Sequence, residues 1–248
     1  MYRKLTYSLG IILLLQFAAC NHSMPDDSTF KASEPREIMG VSVWDRISTR
    51  SEALKSSPRT TLMSLGESFV YLDTFAIDSS ENNTKFLRAR LSDSTMVWIY
   101  DFACVLNAKP AVVINEVPLY MRPDLLTITA KRMNAMEIIA VVEEWDDWIK
   151  VVSEKKEETG WIKKESITYN TIDLAFALLV KRNLEDEDPE QKISRLEDLM
   201  ENNPYPNTIF IEVLMERVDH EKERLREYQN ERDRENRDRE DQDRRRRR

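Results

Sequence analysis

The sequence predicts a mainly β protein that ends in an α-helical region, and three observations indicate this. From Val41 to Tyr169 the chain has short segments of apolar and β-branched residues, separated by clusters of Asp, Ser, Asn and Pro, which is typical of strands joined by turns. Within this region the same ordered set of segments occurs twice. From Thr171 onward the apolar residues follow a helical period. We therefore expect two small β domains followed by helices.

Composition limits the class of protein. The chain has 248 residues, of which 33% are charged, and a formal net charge of −8 at pH 7. So polar a chain is not a multispanning membrane protein, and the acidic balance argues against a general nucleic-acid binder.

The first residues resemble a lipoprotein leader. Arg3 and Lys4 precede an apolar run over residues 9–17, which is too short for a bilayer that needs about 20 apolar residues. The following "FAAC" resembles the lipobox of bacterial lipoproteins, although Phe17 stands where Leu is usual. The resemblance implies that residues 1–19 are a signal peptide and that Cys20 carries a diacylglycerol. It also implies a cell-envelope protein anchored to a membrane, with the outer membrane favoured; the alternative is an ordinary signal peptide with a chance cysteine.

Residues 20–40 are rich in Ser, Asp and Pro and predict a tether. With Cys20 acylated, Cys104 has no cysteine partner in the chain, which excludes a disulfide framework and a four-cysteine metal site. A bridge between Cys20 and Cys104 in an unprocessed chain is the alternative.

The repeat is clearest where "TMVWIYDFACV", residues 95–105, aligns with "TGWIKKESIT", residues 159–168, which places Trp98 on Trp161 and Ile99 on Ile162. Alternating strands precede both, and earlier loops contain "STRSEAL" and "YMRPDLL", each with an Arg before Ser or Pro. This order resembles the bacterial Src-homology-3-like (SH3-like) domain. It implies two small barrels, at residues 41–107 and 111–169, that act as binding modules.

The copies depart from that family in three places. Gly160 stands at the expected hairpin of the second copy, whereas the first has Val97. Gly66 is kept at a turn where the second copy has Met136, and residues 77–84 are an insertion that lengthens one loop of the first copy. We expect the turn at Val97 to be built differently from that at Gly160.

Cys104 aligns with Ile167 on the closing strand, so we expect a buried side chain. A nucleophilic cysteine needs a neighbouring cation or histidine, but the histidines are His22 in the tether and His220 far along the chain. The sequence therefore predicts no catalytic residues, no metal site and no cofactor.

Candidate ligand-binding residues lie in the second copy. Alternation in "WIKVV" places Ile149 and Val151 on the core face and Trp148 and Lys150 on the other, so we expect Trp148 to be partly exposed. Trp145, in an acidic loop, and Tyr120, in the facing loop, complete an aromatic shelf for a peptide or glycan. The alternative is that Trp145 and Trp148 only cover a small core.

The helical region, residues 171–228, contains three segments. Asp188 and Pro189 are a start signal for the second. A set of apolar residues shares one face of that helix: Ile193, Leu196, Leu199 and Met200. The third continues as a broken heptad with Glu221 in a core slot, and then becomes a charged, Arg-rich tail at residues 229–248, either a helix or disordered. That tail is either solvated or a contact for a polyanion.

The leading hypothesis is a noncatalytic, lipid-anchored envelope protein whose barrels bind a cell-wall peptide, a glycan or an envelope protein. A surface-exposed adhesin for host matrix or complement proteins is the alternative. An enzyme is the third possibility. The acidic residues do not favour it, since pairs of carboxylates are expected by chance in a chain with 45 Asp and Glu residues.

Overall fold

The computed structural model describes residues 37–80, 82–185 and 188–246. Its strands are β1 (Ile38–Ser42), β2 (Ile47–Arg50), β3 (Arg59–Met63), β4 (Ser68–Asp78), β5 (Thr84–Arg90), β6 (Met96–Tyr100), β7 (Cys104–Leu106), β8 (Lys109–Val113), β9 (Val117–Tyr120), β10 (Ile128–Met133), β11 (Ile138–Trp145), β12 (Trp148–Val152), β13 (Thr159–Lys163) and β14 (Ile167–Thr168). Its helices are α1 (Thr171–Leu184), α2 (Pro189–Glu201) and α3 (Ile211–Arg246). The protein is mainly β with an α-helical C-terminal region, as the sequence predicts.

The strands form two seven-stranded antiparallel sheets with the same internal order. The first sheet has the order β3-β2-β6-β5-β4-β1-β7, and the second has β10-β9-β13-β12-β11-β8-β14. Each strand of the second sheet therefore holds the place of the strand seven earlier in the chain. Within the described residues the end strands of each sheet do not pair with each other, so neither sheet is closed.

The strand register supports the sequence alignment of the two copies. Trp98 lies opposite Arg88 of β5, and Trp161 lies opposite Lys150 of β12, at matching places in the two sheets. Cys104 begins β7, as Ile167 begins β14.

One expectation about the turns is wrong. Gly160 is inside β13, opposite Val151, and not in a hairpin turn. A Cβ at Gly160 would lie 2.5 Å from Leu119 Cγ and 2.9 Å from the Tyr120 carbonyl oxygen, so close strand packing explains the glycine. Arg50 ends β2 opposite Trp98, which is the place of Tyr120 in the second sheet, so Arg50 and Arg122 do not occupy the same place in the two sheets.

The turn before β4 and its counterpart before β11 have the same backbone form. Gly66 has φ 79° and Met136 has φ 65°, both in the left-handed region. The amide of Gly66 donates to the carbonyl of Ser42, and that of Met136 to the carbonyl of Val113, each at 2.9 Å. The second sheet thus has the same turn, although Met136 adopts the positive φ with more strain than a glycine would.

The insertion in the first sheet is partly strand. Ile77 and Asp78 extend β4 and pair with Lys85 and Thr84 of β5. The Asp78 carboxylate also accepts hydrogen bonds from the Lys55 amide and from Ser80. The insertion therefore lengthens a hairpin arm as well as a loop.

Each sheet has its own core. Cys104 is buried in the first, as predicted, among Met63, Phe69, Phe86 and Ile99. The second core has its own set of buried residues, which includes Leu119, Met133, Ile139, Ile149, Val151 and Ile162. A smaller cluster of Val41, Val43, Ala108, Ala140 and Val152 draws residues from both sheets.

The helices pack on one another and on the second sheet. Phe176 and Val180 of α1, Leu196 of α2 and Leu214 of α3 share one cluster with Ile138 of β11. The predicted start signal is confirmed, since the Asp188 carboxylate caps α2 and Pro189 is in its first turn. Helix α3 continues through the charged segment to Arg246.

The apolar faces predicted for α2 and α3 are buried against other elements. Ile193, Leu196 and Leu199 are buried. Glu221, in the core slot of the broken heptad, is buried beside Lys192, whose Nζ is 3.9 Å away, and Arg224, whose Nη1 is 3.2 Å away. Two cations thus compensate the buried carboxylate.

An ion pair fixes the first sheet to α1. Arg182 donates to Asp45 through Nε at 3.0 Å and Nη2 at 2.8 Å. Burial alone would raise the pKa of the Asp45 carboxyl, but the hydrogen bonds from Arg182 and from the Leu65 amide hold this pKa below its ordinary value. Among the described residues, none of the helices is long and apolar enough to cross a bilayer.

Candidate functional site

The candidate site lies on the outer face of the second sheet, where β9, β12 and β13 run side by side. Ile149 and Val151 of β12 are fully buried in the core, and Trp148 and Lys150 lie on the opposite face, as the alternation predicts. Trp145 lies opposite Trp148 across the β11–β12 pair. Tyr120 lies opposite Trp161 across the β9–β13 pair.

Trp148 is not partly exposed, which corrects the prediction. Only 7% of its surface is accessible. The ring of Tyr120 meets it edge-on at 4.9 Å between centroids, and Lys163 Nζ lies 4.1 Å from the centre of the Trp148 ring. Side chains from two other strands therefore cover Trp148, so it serves mainly to complete the packing of this face.

Lys150 also contacts neighbouring side chains of the same face. Its Nζ lies 6.0 Å from the centre of the Trp161 ring and 3.7 Å from a Glu143 carboxylate oxygen. Trp161 is buried beneath it. The Lys150 stem therefore covers an aromatic ring while its ammonium group stays at the surface.

Trp145 is the exposed aromatic residue of the predicted shelf. It ends β11 and is not in a loop as expected, because Asp146 and Asp147 alone form the turn to Trp148. Asp146 has φ 53°, the left-handed conformation that two-residue hairpins require. The tight turn leaves 64% of Trp145 accessible.

A group of exposed apolar side chains lies beside this shelf, and the sequence reasoning missed it. We call it the apolar tip: Met121, Leu125, Leu126 and Ile128. Leu126 is 91% accessible, and Ile128 lies directly opposite Tyr120 in the β9–β10 pair. The run "LLTI" after Pro123 and Asp124 was the available signal.

Hydrogen bonds within the loop hold the apolar tip in place. The Thr127 hydroxyl donates to the carbonyls of Arg122, at 3.0 Å, and Asp124, at 2.8 Å. The Asp124 carboxylate accepts from the Leu126 amide at 3.0 Å. Exposed apolar groups on an ordered loop are typical of a surface that meets a partner.

The chemistry of Cys104 differs from that of a nucleophile. Burial strongly raises the pKa of its thiol, and the nearby Lys156 charge opposes this only in part. In the described part of the chain, no group of three or more His, Cys, Asp or Glu side chains could hold a metal ion. The predicted lipidation site, Cys20, lies outside the described residues.

Comparisons with known proteins found a weak likeness of the chain to solved structures. No family model and no curated protein sequence matches the chain. Among solved structures, NlpC2 from Trichomonas vaginalis is 12% identical over 68% of this chain and 57% of its own, with a TM-score of 0.24. NlpC1 from the same organism is 11% identical over 68% of this chain and 54% of its own, again with a TM-score of 0.24. The chain thus covers less than two thirds of either protein, and such a TM-score does not establish a common fold.

Proposed function

We propose that this protein is a noncatalytic, lipid-anchored envelope protein that binds a cell-wall peptide or an envelope protein through the apolar tip and Trp145. In this proposal residues 1–19 are a signal peptide, Cys20 carries the lipid, and residues 20–40 are the tether. Residues 41–107 and 111–169 are two SH3-like barrels, of which the second holds the ligand. The identical strand order of the two sheets supports the tandem arrangement.

The observation that carries the proposal is the apolar tip on its hydrogen-bonded loop. Ile128 lies opposite Tyr120, Tyr120 contacts Trp148, and Trp148 lies opposite Trp145. The apolar tip and Trp145 therefore flank one continuous aromatic face. Exposed aromatic and aliphatic side chains around a rigid sheet are the groups that anchor extended peptides.

The surroundings of Cys104 support a noncatalytic role. A buried thiol with a raised pKa stays protonated at neutral pH and is a poor nucleophile. The histidine within residues 37–248 is His220, on α3, whereas Cys104 is in the first sheet. Binding, which needs only surface complementarity, fits these groups better than covalent catalysis.

The test replaces an apolar residue of the tip with a charged one in the full chain. Leu126→Asp is expected to weaken binding about tenfold or more, because burying an unpaired carboxylate in an apolar interface costs free energy. Binding is measured on isolated cell-wall sacculi, or on an envelope protein identified by cross-linking to the natural chain. Leu62→Asp is the matched control, because Leu62 is an exposed leucine of the first sheet. Equal binding by the two variants would contradict the proposal.

The anchor has a separate test. Metabolic labelling with a fatty acid is expected to mark the natural chain and to leave Cys20→Ser unlabelled. Labelling of Cys20→Ser would place the lipid elsewhere. Digestion of intact cells by an external protease then distinguishes a periplasmic protein, which is shielded, from one displayed outside.

A further inference from the structure

A cation and a phenol lie against the ring of Trp148 on the outer face of the second sheet. Lys163 Nζ lies 4.1 Å from the centre of that ring, and the Tyr120 ring meets it edge-on at 4.9 Å between centroids. Both side chains are half-buried, so part of each stays accessible. Among residues 37–80, 82–185 and 188–246, neither the Lys163 ammonium group nor the Tyr120 hydroxyl has a hydrogen bond or an ion pair.

The first sheet holds the same two kinds of group at the matching places, but there they bind each other. Arg50 lies opposite a tryptophan of β6, which is the place of Tyr120. Tyr100 ends β6, which is the place of Lys163 in β13. Arg50 Nε donates to the Tyr100 hydroxyl at 3.2 Å. The second sheet thus leaves unused a cation and a hydroxyl that the first sheet pairs.

The two unused groups suit a carboxylate. An ammonium group has three donors, and the Trp148 ring faces only one side of the Lys163 ammonium group, so donors remain for an anion. The Tyr120 hydroxyl supplies one more donor beside the same ring. Hydrogen bonds between an ammonium group and a carboxylate are stronger than those between neutral groups. A carboxylate at this place would therefore bind more tightly than a neutral amide.

The acidic side chains around this place leave the cation to a ligand. Glu143, on β11, lies 3.7 Å from Lys150 Nζ and is paired with it. Asp146 and Asp147 are exposed in the turn, where solvent weakens their field, and neither pairs with Lys163 in the described part of the chain. The chain as a whole has a net charge of −8, so this local site, and not the overall charge, would attract an anion.

We propose that the ligand of the second sheet is an acidic peptide, whose carboxylate binds Lys163 and Tyr120 while an apolar side chain lies on the apolar tip. This inference rests on the proposed function and names the class of peptide. Ile128 of the tip lies opposite Tyr120, and β10 is separated from β12 by three strand spacings, about 14 Å. About four extended residues span that distance, so one short peptide can make both contacts.

The test uses three peptides as probes for the purified full chain, measured by isothermal titration calorimetry. Acetyl-Leu-Ala-Ala-Glu-amide has a side-chain carboxylate, acetyl-Leu-Ala-Ala-Gln has only the chain-terminal one, and acetyl-Leu-Ala-Ala-Gln-amide has none. At least one anionic peptide is expected to bind about fivefold or more tightly than the neutral peptide, and the tighter of the two identifies the source of the carboxylate. Equal affinity for all three, or no saturable binding of either anionic peptide, overturns the proposal.

Variants of the two groups assign the carboxylate to this place. Lys163→Met keeps an unbranched stem over Trp148 but is expected to remove the preference for the anionic peptide, whereas Lys163→Arg is expected to retain most of it. Tyr120→Phe removes only the hydroxyl and is expected to weaken the anionic peptide about two- to fivefold. The affinity for the neutral peptide should stay the same in these variants. If Lys163→Met kept the full preference, the assignment would be wrong.

The first sheet supplies the matched control. Arg88→Met removes a guanidinium group that lies 5.3 Å from the centre of the Trp98 ring, and it changes the net charge as Lys163→Met does. It is expected to leave the affinity for the anionic peptides unchanged. A loss as large as that of Lys163→Met would mean that the effect is one of net charge, and it would overturn the assignment.

Leu126→Ser separates this inference from the proposed function. It removes an apolar contact without adding a charge, so it is expected to weaken the binding of all three peptides by a similar factor. An effect of Leu126→Ser without any effect of Lys163→Met would leave the apolar tip as a binding surface and overturn the carboxylate site alone. The reverse result would support the carboxylate site and contradict the role of the apolar tip.

Discussion

The outer faces of the two sheets are covered differently, although the strands beneath them have the same order. In the first sheet Arg50 Nε donates to the Tyr100 hydroxyl at 3.2 Å, and the Arg88 guanidinium lies 5.3 Å from the centre of the Trp98 ring. In the second sheet Tyr120 occupies the place of Arg50, and it contacts Trp148. The two faces therefore differ at a matching place, where the first sheet has the arginine Arg50 and the second has the aromatic ring of Tyr120.

The loops next to these faces show the same contrast. The Ser57 hydroxyl donates to the carbonyls of Glu52 and Leu54, just as Thr127 donates within the loop of the apolar tip. Leu54 is 40% accessible, whereas Leu126 is 91% accessible. The two loops share this hydrogen bonding, so their outward side chains decide how apolar the surface of each loop is.

Phe86 lies two residues before Arg88 in β5, and Trp148 lies two residues before Lys150 in β12, so the two rings occupy equivalent places. The largest expected effect tests whether both rings are structural. Phe86→Ala and Trp148→Ala are each expected to lower the free energy of unfolding by about 3–5 kcal/mol, because both rings are buried. Denaturant titration measures this loss. If Trp148→Ala kept full stability but lost ligand binding, the predicted exposed shelf would be right after all.

The next effect concerns Gly160 and its counterpart Val97. Gly160→Val is expected to cost about 2–3 kcal/mol, since its side chain would press on Leu119 and on the Tyr120 carbonyl, which belongs to the backbone. Thermal unfolding followed by circular dichroism measures the loss. A neutral Gly160→Val would mean that β9 and β13 can separate enough to accept the added side chain.

A smaller effect is expected at the left-handed turn of the first sheet. Gly66→Ala should lower the free energy of unfolding by about 1–2 kcal/mol, because φ is 79° and the added Cβ would lie 2.9 Å from Ile138 Cγ2. Denaturant titration again gives the value. Since Met136 already adopts this backbone form in the second sheet, unchanged stability would show that the first turn tolerates a side chain equally well.

The smallest effect is the pH dependence that comes from Asp45. Its folded-state pKa is lowered from the ordinary value of 3.8, so its contribution is present above about pH 4 and is lost as the pH falls through the folded-state pKa. Asp45→Asn is expected to cost about 1 kcal/mol at pH 7 and nothing at the acid end. Unfolding curves between neutral and acid pH measure the difference. A cost that stays constant with pH would point to lost packing and not to lost charge.

Local patterns in the sequence were sufficient for several features. Alternation in "WIKVV" identified Ile149 and Val151 as core residues, and Asp188 with Pro189 identified the start of α2. The alignment with Ile167 predicted the burial of Cys104. These features depend on periodicity or on neighbouring residues, which the order of amino acids contains directly.

Only the tertiary structure decided the rest, because it depends on groups that are distant in the chain. Trp148 is buried because Tyr120 and Lys163 arrive from β9 and β13. Leu126 stays exposed because no other element among residues 37–80, 82–185 and 188–246 covers its loop, although the composition of this loop resembles a core segment. The sequence by itself determined which residues are apolar and which strands repeat; the packing of separate strands and helices determined which apolar residues remain open to a partner.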